Sequence, residues 1–161
     1  MALNAYLTLK GRKQGQIKGS VTEKGREDSI GVIAVSHEIV SPRDPASGLP
    51  TGKRMHKPLL ITKELDKGSP LLYNALVTNE TITEWTLTFW RPDRAGSEKP
   101  NYTIKLTNAN IASIQFVMPN NKQPELVKLA EYEQVAFVYE KIEWTWIDGG
   151  ITAVDTWLAK P

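Results

Sequence analysis

Two histidines are the side chains of this sequence best suited to chemistry. His37 lies on an otherwise apolar strand face and His56 lies at the start of another strand, and either of them could form a catalytic set with Ser41 and Asp44. The alternative is one packed and one surface histidine without a catalytic role. We favour that alternative, because no nucleophile elbow, phosphate-binding loop or dinucleotide-binding motif joins a strand to a helix here.

Acidic side chains give a second possible chemistry. Glu64 with Asp66, or Glu131 with Glu133, could act as the carboxylate pair of a glycosidase. These residues lie among lysines at the ends of predicted elements, which is typical of solvated surface carboxylates. Two histidines without any cysteine provide no zinc-ligand cluster, so we predict neither a metal nor a cofactor.

Tryptophans and basic residues suggest binding rather than catalysis. The five tryptophans could form a platform on which sugars stack, but Trp85, Trp144 and Trp146 each lie on the more apolar face of a strand. Burial in a core or against another subunit fits that position better. The basic cluster of Lys53-Arg54 with Lys57 is more typical of a solvated loop than of a phosphate site.

Composition limits the class of protein. The chain has 161 residues, 40% hydrophobic and 24% charged, which predicts one globular domain over 1–161. Its net charge is 20 − 18 = +2, which is too small to attract the chain strongly to nucleic acid or to a membrane surface. The N-terminus lacks the pattern of a secretory signal and no apolar stretch is long enough to span a bilayer, which by itself indicates a cytoplasmic protein.

Side-chain alternation predicts a mainly β fold. Roughly eight alternating segments suggest a closed or nearly closed antiparallel β-barrel. The last strand is predicted to run without a break from Val135 to Ile147, about 40 Å at 3.3 Å per residue. Ile142, Trp144 and Trp146 share one of its faces, and a strand of that length would leave an edge exposed. We therefore expect an oligomer.

One short helix and one long loop interrupt the strands. The helix is predicted over about 69–79, with Ser69 as N-cap, Pro70 in the first turn and an apolar stripe that includes Leu72 and Ala75. The extended loop 41–55 is rich in proline and glycine. It is far longer than a hairpin turn requires, which is typical of a functional loop.

Several segments, in order, resemble the haemolysin-coregulated proteins (Hcp), which form the tube of the bacterial type VI secretion system. The segments that carry the resemblance are Ala5-Tyr6-Leu7, Ile17-Lys18-Gly19-Ser20-Val21, His56-Lys57-Pro58, Ile61-Thr62-Lys63-Glu64-Leu65-Asp66 with Ser69-Pro70, Tyr139-Glu140-Lys141-Ile142-Glu143-Trp144-Thr145-Trp146, and Asp155-Thr156-Trp157. They cover nearly the whole chain, and their order is more specific than any one of them.

The resemblance implies a β-barrel with a flanking helix that assembles into a homohexameric ring. Rings stack into a hollow tube, which a contracting sheath expels, and effector proteins bind in the lumen. The implied partners are further copies of the chain, the sheath, spike and baseplate proteins, and the effectors. The implied location is the bacterial cytoplasm before firing and then secretion without a signal peptide. The core domain is not an enzyme, and with the sequence ending at Pro161 we expect no C-terminal toxin extension.

The resemblance also suggests site residues. A lumen that passes varied cargo is expected to be lined by small and polar side chains, and the candidates are Ser36, Glu38, Thr86, Thr88, Ser113 and Gln115. The loop is expected to contact a neighbouring subunit or the next ring through Pro42, Arg43, Asp44, Pro45, Leu49, Pro50, Lys53 and Arg54.

Two other functions compete with the ring subunit. One is a monomeric β-barrel module that binds carbohydrate or protein through exposed tryptophans. The other is a hydrolase that uses His37 or His56. The oligomeric state separates the ring subunit from both.

Overall fold

A computed structural model describes residues 1–158, and the fold is mainly β, as predicted. The described part of the chain contains one α-helix, α1 (Ser69–Val77), and a 3-10 turn over Pro124–Leu126. Its strands are β1 (Ala5–Gly11), β2 (Gly15–Gln16), β3 (Ile30–Val32), β4 (Ala34–Ser36), β5 (Ile39–Val40), β6 (Met55–His56), β7 (Leu59–Glu64), β8 (Ile82–Pro92), β9 (Glu98–Thr107), β10 (Asn110–Val117), β11 (Tyr132–Val138), β12 (Lys141–Trp146) and β13 (Ile151–Thr156).

The strands form two main antiparallel sheets. The seven-stranded sheet has the order β13-β12-β9-β8-β1-β2, with β3 also paired to β1, and the four-stranded sheet has the order β10-β11-β7-β4. A separate two-stranded ladder joins β5 to β6. Backbone pairing within residues 1–158 leaves both sheets open, so the predicted closed barrel is not confirmed.

Strands that bend from one sheet into the other hold the two sheets together. The prediction of one continuous strand over 135–147 is wrong, because the chain bends at Tyr139-Glu140. Before the bend β11 lies in the four-stranded sheet, and after it β12 lies in the seven-stranded sheet. The segment 30–40 divides in the same way, with β3 and β4 on either side of Ile33. Such bends form the corners of packed sheets.

The core lies between the inner faces of the sheets. Trp85 and Leu87 of β8 are buried on the face that alternation predicted, and the Trp85 ring lies 5.3 Å from the ring of Phe137. On β12, Ile142 is fully buried but Trp146 is 46% exposed. Within one subunit the core covers only the start of the tryptophan face of this strand, and burial of its end against another subunit stays a prediction.

The helix packs on β10 with Leu72 and Ala75 buried, as its stripe predicted. Its N-cap is Gly68 rather than Ser69, so the predicted cap is wrong. Ser69 lies inside the first turn, where its hydroxyl is used in a buried ion cluster. Among the helices of the described residues, none is long and apolar enough to cross a membrane.

Candidate assembly surfaces

The outer face of the four-stranded sheet carries two adjacent rows of residues that are mostly small or polar, with Leu60 as their one large apolar member. Directly opposed residues of neighbouring strands point to the same side of a sheet. One row across this sheet contains Ser36, Leu60, Ala136 and Ser113. The next row contains Ala34, Thr62, Gln134 and Gln115. The polar face, as we call these two rows, carries no charged side chain.

The six candidate lumen residues do not form one surface. Ser36, Ser113 and Gln115 lie on the polar face, and Glu38 lies beyond β4, where its carboxylate is 3.2 Å from Lys57 Nζ. Thr86 and Thr88 lie instead on the outer face of the seven-stranded sheet. Alternation could not separate the two groups, because it shows which side of a strand is polar but not which sheet the strand joins.

The predicted loop 41–55 is the far half of one long hairpin. Its near half is β4 paired with β7, and the ladder continues through the pairs Ile39–His56 and Val40–Met55. A last bridge joins Arg43 to Pro50. We call residues 41–54 the arm; all eight predicted contact residues of the loop lie within it.

The tip of the arm is ordered by Asp44. Its carboxylate accepts hydrogen bonds from the Ala46 N–H at 3.0 Å and the Ser47 hydroxyl at 2.8 Å, and these bonds lower the pKa of Asp44. The turn leaves Leu49 65% exposed. The tip therefore presents an apolar side chain on a backbone that is already folded.

A chain of hydrogen bonds, the arm anchor, joins the base of the arm to the two sheets. It consists of His37, Arg54, His56, Tyr139 and Asp155. The His56 ring lies between the Tyr139 hydroxyl, 2.7 Å from Nδ1, and Asp155 Oδ2, 2.7 Å from Nε2. His37 Nε2 lies 2.9 Å from the same hydroxyl. Arg54 binds both oxygens of Asp155, at 2.5 and 2.6 Å.

Aromatic rings enclose the arm anchor. Trp157 stacks on His56 with ring centroids 5.7 Å apart, and it meets the Tyr139 ring edge-on at 4.9 Å. His56 is buried by this packing, so the sequence-based interpretation of one surface histidine at the start of a strand is wrong. The partners of His56 are 83 and 99 residues away, and no local signal shows them.

Charge and burial shift the ionisation of the arm anchor. Hydrogen bonds from Arg54 hold the pKa of Asp155 far below its ordinary value, and burial raises the pKa of Tyr139 well above its own. Burial, together with the neighbouring His56, lowers the pKa of His37. The phenol thus stays protonated. Because it has one proton, it donates to one imidazole and accepts from the other.

These contacts do not assemble the hydrolase set considered from the sequence. The His37 ring bonds to Tyr139, while the Asp44 carboxylate is bonded within the tip of the arm. A protonated phenol is a poor nucleophile. The geometry of the arm anchor is therefore suited to holding the arm in place.

A second polar cluster is buried beneath the start of the helix. Lys63 Nζ lies 2.8 Å from Glu133 Oε1, 2.9 Å from Ser69 Oγ and 3.3 Å from Asp66 Oδ1. The side chains of Lys63, Glu133 and Asp66 are 0%, 1% and 10% exposed, so the prediction that Glu133 and Asp66 are solvated is wrong. One signal could have found Lys63, since it shares a strand face with Leu59 and Ile61.

Comparison with known proteins gives the family. The family model described as the type VI secretion system effector Hcp matches residues 6–146. The major exported protein of Pseudomonas aeruginosa is 39% identical over 166 residues, which cover 98% of this chain and 96% of that protein.

Solved structures agree with this match. A crystal structure of an Hcp protein has a TM-score of 0.89 and 31% identity, covering 98% of this chain and 99% of its own. Hcp1 from the E. coli EAEC 042 pathovar has a TM-score of 0.86 and 38% identity, covering 97% and 99%.

Fold, surfaces and relatives together define a secreted, β-rich structural protein of type VI secretion. This chain belongs to the Hcp family, whose members are tube proteins of that system. The resemblance seen in the ordered sequence segments is thereby confirmed.

Proposed function

We propose that this chain is the subunit of a homohexameric ring, that rings stack into the hollow tube expelled by the secretion machine, and that effectors bind in the lumen. Family membership supports the tube. The observation that carries the proposal is the four-stranded sheet, which combines the polar face with two edges that have no partner strand in residues 1–158.

The two edges supply the contact that a ring needs. Within the described chain, β4 pairs only with β7 and β10 pairs only with β11. Joining the β10 edge of one copy to the β4 edge of the next uses two different surfaces, and such a contact closes into a ring when the rotation fits. Unpaired edges are also surfaces that native proteins cover. In this form the predicted barrel is the continuous wall of the ring rather than the closed sheet of one subunit.

This arrangement turns the polar face toward the bore. Ser36, Ser113 and Gln115 then line the lumen, with Glu38 near one rim. Uncharged and mostly small side chains suit cargo of varied surface, because they neither attract one sign of charge nor hold apolar patches tightly. Thr86 and Thr88 face away from the bore, on the same outer surface as Glu143 and Thr145, and that surface is the one available to the sheath.

The proposal assigns no catalytic step to this chain. Its histidines are held in the arm anchor, where they order structure. Synthesis in the bacterial cytoplasm followed by export through the machine, with the sheath, spike and baseplate proteins as partners, belongs to the same proposal and is supported by the family.

Native mass spectrometry and negative-stain imaging of the purified protein test the ring. We expect a hexamer and six-fold rings with an open centre, and a strict monomer at high concentration would contradict the ring. The lumen is tested with Ser36→Arg, which is expected to reduce effector retention in quantitative pull-downs. The matched control Thr88→Arg changes the opposite surface and is expected to retain effectors. If Ser36→Arg leaves both ring assembly and effector retention unchanged, the lumen assignment fails.

A further inference from the structure

A pocket of about 250 Å³ lies on the outer face of the seven-stranded sheet, and we call it the outer pocket. Its lining includes threonines of β1, β8 and β9, the aromatic residues Tyr6 and Trp90, and Pro100. Arg26 borders it from the loop that precedes β3. This volume is just below that of sites for drug-sized ligands, so the outer pocket suits a small ligand of about one sugar ring.

The cation of the outer pocket is held in place by two aromatic rings. The guanidinium carbon of Arg26 lies 4.2 Å from the ring centroid of Trp90 and 5.0 Å from that of Tyr6. Its Nη1 donates to Glu98 Oε2 at 2.6 Å and lies 3.4 Å from the Tyr6 hydroxyl. Only 11% of the Arg26 side chain is exposed. The fold therefore positions this guanidinium before any ligand arrives.

One edge of the Arg26 guanidinium has no acceptor. Its Nε is buried and makes no hydrogen bond within residues 1–158, where the recorded bonds of this side chain all come from Nη1. In Arg54 the corresponding edge, Nε with Nη2, binds both oxygens of Asp155. A buried donor without a partner is rare in native proteins and unfavourable. A ligand that brings two acceptor oxygens to this edge would satisfy it, and a carboxylate has that geometry.

A row of hydroxyl groups leads away from the outer pocket across the sheet. Thr103 lies in the lining of the pocket, opposite Thr145, and Thr145 lies opposite Thr152, so the three side chains point to the same side. We call these residues the threonine row. Neighbouring strands are about 4.8 Å apart, which is close to the length of one unit in an extended chain of pyranose sugars. The row therefore offers one hydroxyl to each successive sugar unit.

We propose that the outer pocket binds a sugar acid, with the carboxylate on the free edge of Arg26 and further units of an acidic polysaccharide along the threonine row. The apolar C–H face of the sugar ring packs on Trp90 and Pro100, and its hydroxyls bond to those of the threonines. All of these residues belong to one subunit and lie on the surface that faces away from the proposed bore. The site is therefore a further binding function, which does not depend on the ring.

Calorimetric titration of the purified protein with three sugars tests the ligand. The probes are trigalacturonate, monomeric galacturonate and the neutral galactotriose. We expect trigalacturonate to bind and galactotriose to bind about tenfold more weakly or worse, because the charge-assisted contact with Arg26 is then lost. Galacturonate distinguishes the source of the ligand: equal affinity for monomer and trimer identifies a free sugar acid, and a tighter trimer identifies a polysaccharide. Both results support the outer pocket, and only the second supports the threonine row.

Variants place the ligand in the outer pocket. Arg26→Lys keeps the positive charge but loses the edge with two donors, and it should weaken trigalacturonate binding about tenfold or more. Arg91→Lys is the matched control, since it makes the same change at an exposed arginine outside the pocket, and it should bind like the wild type. Thr103→Val leaves Arg26 in place and should weaken both acidic sugars. Thr145→Val should weaken only the trimer. Circular dichroism checks that each variant is folded.

The proposal is overturned if no acidic sugar binds, if galactotriose binds as tightly as trigalacturonate, or if a folded Arg26→Lys variant binds like the Arg91→Lys control. Should Arg26→Lys fail to fold, unchanged binding in Thr103→Val overturns it. Triglutamate that binds as tightly as trigalacturonate would identify an acidic protein segment as the ligand and overturn the sugar assignment. Native mass spectrometry of the same samples reports the hexamer, so a hexamer that binds no sugar leaves the ring in place.

Discussion

Removal of one hydroxyl group should loosen the arm. In the arm anchor, the Tyr139 hydroxyl lies 2.7 Å from His56 Nδ1 and 2.9 Å from His37 Nε2. The substitution Tyr139→Phe removes both hydrogen bonds and keeps the ring that packs against Trp157. The buried His56 then has a ring nitrogen without a partner at the base of the arm.

The cost follows from burial. A buried polar atom left without its hydrogen bond costs about 1–3 kcal/mol, whereas a group that water can reach loses much less. His56 is buried and His37 is only half-buried, so most of the cost falls on His56. We expect Tyr139→Phe to lower the free energy of unfolding by about 2 kcal/mol.

Urea unfolding, followed by circular dichroism at one protomer concentration, measures this difference, since assembly makes stability depend on concentration. Tyr73→Phe is the matched control. Tyr73 lies on the surface of the helix, and its hydroxyl makes no hydrogen bond within residues 1–158, so its loss should change stability by less than about 0.5 kcal/mol. Hydrogen exchange should also become faster in residues 41–57 of Tyr139→Phe.

A Tyr139→Phe variant as stable as the Tyr73→Phe control would refute the proposed role of the hydroxyl. Unchanged exchange in the arm, even with lower global stability, would refute the coupling between the anchor and the arm. The two readouts thus separate a general packing defect from a loss of arm order.

Two further predictions concern ionisable groups. Lys63→Met should destabilise the protein by about 3–5 kcal/mol, because it leaves buried carboxylates without their cation, and the double variant Lys63→Met with Glu133→Leu should recover much of that loss in the same urea assay. A double variant as unstable as the single one would contradict this. Stability should also fall as pH drops below the ordinary histidine value of 6.5, since the folded state lowers the pKa of His37 and so binds fewer protons than the unfolded state. His37→Gln should flatten the dependence of stability on pH in that range, and an unchanged profile in this variant would contradict the assignment. A second loss of stability should begin as the pH falls below about 3.8, because the depressed pKa of Asp155 means that the folded state again binds fewer protons than the unfolded state.

Local patterns were enough to predict most elements of the fold. Alternation located the buried face of β8, and an apolar stripe after Pro70 located the helix. The bend at Tyr139-Glu140 was not predicted, because alternation continues through a strand that leaves one sheet for another. The two-residue alternation of side chains shows which residues share a face of a strand, whereas the sheet that the strand joins depends on partners far away in the chain.

The candidate site likewise has one part that the sequence predicted and one part that only the structure revealed. Small polar positions such as Ser36 were visible in the sequence, but their grouping with Ser113 across β7 and β11 required the sheet order. The arm anchor was not visible at all, because His56 and Asp155 are 99 residues apart and each resembles an ordinary surface residue in its local context.

By itself, the sequence determined that this protein is mainly β with one short helix, that it lacks the motifs of common enzymes, and that it resembles the Hcp family. These properties depend on residue type, short-range period and ordered segments, all of which are local. Only the tertiary structure decided where the sheets bend, which polar residues share a face, and that Lys63, Glu133 and His56 are buried. Those features depend on contacts between distant parts of the chain, and the free energy of burying a polar group is settled only when its partners are in place.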